Sequence, residues 1–237
     1  MVLPTPAAVG GPPCRIRARR SWGLALFVMA TMAAVTEPGT PAAAEPFNFL
    51  EVAERRSDDI TAFTKWTAVL ERHADQAALA PRLPCAPDRP WVCAHHRLTA
   101  FLDGLHHVDP WQQLVAVNGY INGIPYVPDR VKHGLPDFWQ TPAEFLAGGG
   151  DCEDFAIAKY FSLKRLGWTD DALRLVVAHD LKTETGHATL AVRLAGRTWL
   201  LDNQLKEIAE WRRVQRYRPL FSINRSSWWL HQEFPRT

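Results

Sequence analysis

The sequence predicts an α+β domain, and three observations carry that prediction. Apolar residues recur at helical spacing through the first half of the chain, an almost wholly apolar helix follows a glycine run, and three strand-like runs come after it. The order is helices, then a buried helix, then an antiparallel sheet. Composition permits this. With 237 residues the chain suffices for one ordinary domain or at most two small ones, and 47% hydrophobic against 22% charged residues supplies a real core. A formal charge of +2 without a long single-sign run gives no ground for a nucleic-acid partner.

The first 44 residues read as a secretory signal. Arg15, Arg17, Arg19 and Arg20 precede the apolar run WGLALFVMATMAAV, and Ala42, Ala43 and Ala44 supply the small residues for cleavage near Ala44–Glu45. The run is short against the ~20 residues that span a bilayer. The expected domain is therefore residues 45–237, exported to the periplasm. Cys14 leaves with the signal, so the mature chain keeps Cys85, Cys93 and Cys152. In an oxidising compartment Cys85 and Cys93, on the proline-rich segment PRLPCAPDRPWVC, are the expected disulfide, and two separate thiols are the alternative.

From Phe47 to Ala80 the apolar residues Phe49, Val52, Ala53, Ile60, Phe63, Trp66, Val69 and Leu70 fall at three- and four-residue steps, which predicts helix until the prolines at 81–90. A second helical stretch is predicted over roughly 95–121, interrupted near Asp109-Pro110. NGIPYVPDRVKHGLPDFW reads as loop. TPAEF opens a short helix, with Thr141 as N-cap and Glu144 closing a capping box. After the glycines at 148–150, Asp151 caps a helix whose first turn holds Cys152, Glu153 and Asp154, and Gly167 stops it. Strands are predicted at 173–181, 187–195 and 198–203, with Ala195-Gly196-Arg197 as a tight turn between the last two. The segment 205–211 reads as helical, and PLFSIN as a further strand.

Cys152 raises a chemical question, because flanking carboxylates oppose ionisation of a thiol. Its place at the first turn of a helix does the opposite, since unpaired N–H groups and the helix dipole favour a thiolate. His187 begins one strand and Asp202 ends the next. In an antiparallel hairpin those two positions are neighbours, so sulfur, imidazole and carboxylate are placed to act as nucleophile, base and orienter.

GDCEDFAIAKYFSLKRLG, then GHATLAVR, then LLDNQ closely resembles the bacterial transglutaminase-like cysteine proteinases, the LapG-like periplasmic adhesin-releasing proteases. VNGYINGIPYVPD, DFWQTPAEFL and YRPLFSINRSSWWLH extend the resemblance over about residues 95–231. One departure is His-Ala-Thr-Leu, where adhesin-releasing members more often carry a bulkier residue after the histidine. The resemblance implies a papain/transglutaminase-like fold, with N-terminal helices and a buried catalytic helix packed on an antiparallel sheet, and maps Cys152, His187 and Asp202 onto the triad. It implies a structural Ca2+ beside the catalytic helix, held by Asp151, Glu153 and Asp154, which answers the question the acids raise. It further implies a large surface adhesin as substrate, cut at a small-residue site such as paired alanines, and an inner-membrane cyclic-di-GMP receptor that sequesters the protease and so controls biofilm attachment.

The alternatives are a transglutaminase or amide acyltransferase using the same triad, and a non-catalytic calcium-binding module. Gln140 and Asn118 are candidate oxyanion donors besides the Cys152 N–H. Trp139, in the loop leading to the catalytic helix, is read mainly as core and also as a partner-docking aromatic. The pairs His95-His96 and His106-His107 lack ligand spacing and read as packing or solvated residues. Trp228-Trp229 reads as a core or edge plug.

Overall fold

The computed structural model describes residues 47, 49 and 52–233, so the signal segment lies outside the described residues. Strand β1 (Val52–Ser57) comes first, followed by helices α1 (Thr64–Leu79), α2 (Pro90–Asp103), α3 (Pro110–Asn122), α4 (Asp129–Lys132), α5 (Pro142–Gly148) and α6 (Cys152–Arg165). Strands β2 (Leu173–Asp180), β3 (Thr185–Leu194), β4 (Arg197–Leu201), β5 (Ala209–Glu210), β6 (Tyr217–Ile223) and β7 (Trp228–Glu233) complete the chain. They form one antiparallel sheet in the order β1-β7-β6-β2-β3-β4-β5. The α+β class stands.

Local chemistry sets the helix starts. Asp109 caps α3 by accepting from the Gln112 N–H at 3.2 Å, with Pro110 in the first position. Thr141 caps α5 in a reciprocal box with Glu144, and Asp151 caps α6 in a second box with Asp154. Ala195 and Gly196, both at positive φ, make the two-residue turn from β3 to β4, a backbone shape matched to the right-handed twist of paired strands.

Helix α6 is buried almost all round and packs on β2 and β3. Side chains alternate across the sheet. Leu173, Leu175 and Val177 of β2 face the helices with Trp66, Phe145 and Ile157, while Val176 and Ala178 face a second, smaller core under Phe47, Phe49 and Trp211. Burial on both faces explains why these strands read as nearly continuous apolar runs.

Two expectations fail, and the segment read as loop carries the one-turn helix α4. Residues 52–57 are not helix but an edge strand, paired with β7 in register from Val52↔Glu233 to Ser57↔Trp228. That pairing places Trp228 and Trp229 on a strand and overrides a local 3–4 spacing. Residues 205–211 are not helical either. They run through a loop into β5, where Trp199↔Glu210 and Leu200↔Ala209 pair, and into a 3₁₀ turn at Trp211. A disulfide joins Cys85 to Cys93, tying the proline-rich turn to α2. Among the described residues no helix is long and apolar enough to cross a membrane.

Candidate active site

Three elements bring the predicted residues together. Cys152 is the first residue of α6, His187 lies near the start of β3, and Asp202 follows the end of β4. All three are buried. The Ala188 N–H donates to Cys152 Sγ at 3.3 Å, so the sulfur sits against the backbone next to His187. On the imidazole, Nε2 donates to Asp202 Oδ2 at 2.7 Å. Nδ1, the ring nitrogen turned away from the carboxylate, lies 3.3 Å from Gln204 Nε2.

The carboxylate is held from several sides. Asp202 Oδ1 accepts the Gln204 N–H at 2.6 Å and the Tyr217 hydroxyl at 3.4 Å. Asn122 of α3 donates to the Asp202 carbonyl at 2.9 Å. The Tyr217 ring stacks on His187 with centroids 4.9 Å apart, fixing the plane of the imidazole. Beneath lies Lys159, fully buried on α6, whose ammonium donates to the Leu201 carbonyl at 3.1 Å. Burial pulls that lysine down to about 7 against the opposing influence of Asp202. For Asp202, burial pushes upward, but the His187 charge and hydrogen bond, with Lys159, outweigh it and hold the carboxyl at about 2. An ionised, acceptor-only carboxylate next to Nε2 keeps a proton on that nitrogen.

A second cluster adjoins the start of α6. Carboxylate oxygens of Asp129, Asp151 and Asp154 lie within 4.8 Å of one another, and so do those of Asp129, Asp137 and Glu153. Sequence reasoning found Asp151, Glu153 and Asp154 but missed Asp129 and Asp137, which lie on the segment read only as loop. Burial raises Asp129 to about 6, helped by Asp151 and Asp137, and the same two causes push Glu153 and Asp154 well above the usual carboxylate range. Three oxygens, Asp129 Oδ1, Asp137 Oδ1 and Asp151 Oδ1, are buried without a hydrogen-bond partner. Buried carboxylates in that condition are costly unless a cation or proton meets them. An all-oxygen donor set of this kind fits a hard divalent cation.

Asp154 has a further job. Its carboxylate accepts the Gln140 N–H at 2.7 Å, the Gln140 side-chain amide, and the Asp151 N–H at 3.2 Å, clasping the segment before α5 to the start of α6. That commits Gln140, which also donates to the Gly149 carbonyl, and leaves it inside the clasp rather than at the thiol. Asn118 is buried on α3 beside Asn122. The docking role for Trp139 does not stand. Its ring is 7% exposed and packs edge-on against Trp66, because the loop folds inward onto α1.

Gln204, Arg216 and Tyr217 were not singled out from the sequence. A signal for Gln204 existed in the hairpin: continuing the β3–β4 register past Leu190↔Leu201 puts residue 204 opposite 187.

The fold and this gathering of Cys, His and Asp are those of a transglutaminase-like cysteine peptidase. Residues 89–233 match the family of bacterial transglutaminase-like cysteine proteinases, and the chain belongs to that family. Among solved structures it resembles calcium-bound LapG of Legionella pneumophila, with 29% identity and a TM-score of 0.56 over 66% of this chain and 86% of that one. The EGTA-treated form of the same protein matches with 29% identity and a TM-score of 0.56, over 65% and 83% of the two chains. Comparison with curated proteins finds no match.

Proposed function

We propose that this chain is an exported, periplasmic, calcium-dependent endopeptidase in which Cys152 is the nucleophile, His187 the base and Asp202 the orienter. The observation that carries the reading is the buried 2.7 Å pair of His187 and Asp202 next to a sulfur held at the N-terminus of α6. Cys152 Sγ attacks a peptide carbonyl as its proton passes to His187 Nδ1, and the same nitrogen returns the proton to the leaving amine. Water, deprotonated by His187, then hydrolyses the thioester. The Cys152 backbone N–H, at a helix start, is placed to donate to the oxyanion.

Asp129, Asp137, Asp151, Glu153 and Asp154 are the residues that would hold calcium, and Asp154 also clasps Gln140. The three unpartnered oxygens and the likeness to calcium-bound LapG support this. Bound there, calcium neutralises the acids that would otherwise oppose ionisation of the neighbouring thiol, and anchors the turn that carries it. A protease acts on protein. By its family the substrate is the N-terminal region of a large surface adhesin, cut at a small-residue site, under control of an inner-membrane cyclic-di-GMP receptor. Signal cleavage near Ala44–Glu45 belongs to the same proposal.

The test mixes purified protein with the N-terminal region of a surface adhesin from the same organism, with calcium or with EGTA. Cleavage is expected in calcium alone and is abolished in Cys152→Ala, whose thermal unfolding stays cooperative. Turnover by Cys152→Ala at the wild-type rate overturns the nucleophile, and equal cleavage in EGTA overturns the calcium dependence.

A further inference from the structure

A cavity of about 640 Å³ opens between α1, α2, the start of α5 and the end of α6. That volume falls within the ~300–1,000 Å³ of small-molecule sites. Its floor is apolar and buried, made by Leu98 and Leu102 of α2, Pro142 and Ala143 of α5, and Phe161 of α6. Leu70, Ala74 and Ala77 stand at three- and four-residue steps on α1 and form one wall. Two of the three are alanines, so the trough stays open along the helix. His73 already covers the Phe161 ring, with centroids 3.9 Å apart, and the surface that remains for a ligand is mainly aliphatic.

The charged groups around this trough are of one sign. His73, His95, Lys164, Arg165 and Arg225 line it, and among the described residues no acid does. Lys164 pairs with Asp170 at 3.2 Å and Arg165 with Asp103 at 2.9 Å, both acids lying outside the lining. Arg225, exposed in the turn between β6 and β7, has no ion-pair partner among the described residues. The imidazoles register the imbalance. Burial, then the charges of His95 and Arg225, pulls His73 down to about 4, and burial, then His96 and Arg165, lowers His95. An aliphatic trough beneath unbalanced positive charge complements one kind of small molecule, an apolar tail that ends in an anion. We propose that this cavity binds a medium-chain fatty acid, its tail along Leu70, Ala74 and Ala77 and its carboxylate on the Arg225 guanidinium, whose planar fork matches two carboxylate oxygens. Phe161 and Arg165 lie at the far end of α6 from Cys152, on a helix about 20 Å long, so the inference does not depend on the peptidase reading.

Isothermal titration of the full chain with decanoate, kept below the concentration at which it forms micelles, tests this at neutral pH and low salt. Two reference ligands separate head from tail: acetate has the carboxylate alone, and decyltrimethylammonium has the tail with the opposite charge. Saturable binding of one decanoate per chain is expected, with neither reference ligand binding measurably over the same range. Arg225→Gln removes the cation and is expected to raise the Kd about tenfold, the loss of one charge-assisted pair. Ala74→Phe fills the trough and is expected to abolish binding. Both residues are exposed, and melting curves of the two variants confirm that each is folded. Absence of saturable decanoate binding overturns the site. Equal affinity for decyltrimethylammonium overturns the choice of an anion, and wild-type affinity in both variants places the ligand elsewhere and overturns the assignment to this cavity. No substrate enters the measurement, so the outcome stands apart from whether the chain cleaves an adhesin.

Discussion

Asp202 concentrates most of what holds the imidazole in place. One of its oxygens serves His187 and the other accepts from the Gln204 N–H and Tyr217, while Lys159 lies close enough to help keep it ionised. Asparagine at this position retains the shape but has one accepting oxygen and one donating NH2. Whichever way it turns, either the Nε2 proton or the Gln204 N–H meets a donor, and the buried Lys159 loses its countercharge. Asp202→Asn is therefore expected to lower kcat by about 10²–10⁴-fold while the protein still folds. Measuring kcat on the adhesin fragment beside a melting curve checks it, and a kcat within threefold of wild type would remove Asp202 from the machinery. The convergence of Cys152, His187 and Asp202 was legible because a helix start and the two ends of one hairpin are brought together by the fold. Gln204 was less so, since it meets the ring through an extension of a register whose paired ladder stops at Leu201.

At the scale of elements, the site depends on the crossing between the end of α5 and the start of α6. Gly150 lies there with the Tyr126–Val127 segment on one side, its carbonyl accepting the Val127 N–H at 2.8 Å. On the other side is the Asp154–Gln140 clasp. A Cβ on Gly150 would collide with Asp154 Oδ2 and come within 2.6 Å of Gln140 Nε2, both of them held in place by other bonds. Gly150→Ala is expected to cost about 1–3 kcal/mol by forcing the clasp apart, and to weaken calcium binding because Asp151 moves with it. Urea unfolding and calcium titration of the variant read the two effects, and unchanged values in both would mean the clasp yields without strain. Helices α3, α5 and α6 were legible from their caps, and the β3–β4 turn from its Ala-Gly pair, because these signals are local. Strand β1 was not: its identity is set by partners about 180 residues away in sequence on β7, a long-range pairing that local periodicity does not report. Asp129 and Asp137 escaped for the same reason, being an ordinary helix-start acid and a loop acid until the fold lays them against Asp151 and Glu153.

Over the whole molecule, the acidic cluster links proton uptake to stability and, on the calcium proposal, to metal binding. Burial, reinforced by mutual repulsion, raises Asp129 to about 6 and lifts Asp151, Glu153 and Asp154 above their unfolded values. Raised folded values mean that the metal-free protein takes up protons on folding. The stability these groups contribute is then full below about pH 4, where they are protonated even when unfolded, and is lost as the pH climbs through 6 and beyond. A divalent cation takes the ionised carboxylates, so its binding expels those protons and removes the loss. Melting curves in EGTA should accordingly fall from pH 5 to pH 8, and saturating calcium should raise the melting temperature more at pH 8 than at pH 5. At a hundredfold excess over Kd the stabilisation is about 2.7 kcal/mol. A calcium shift that is absent at pH 8, or larger at pH 5 than at pH 8, would mean that these carboxylates do not bind the ion.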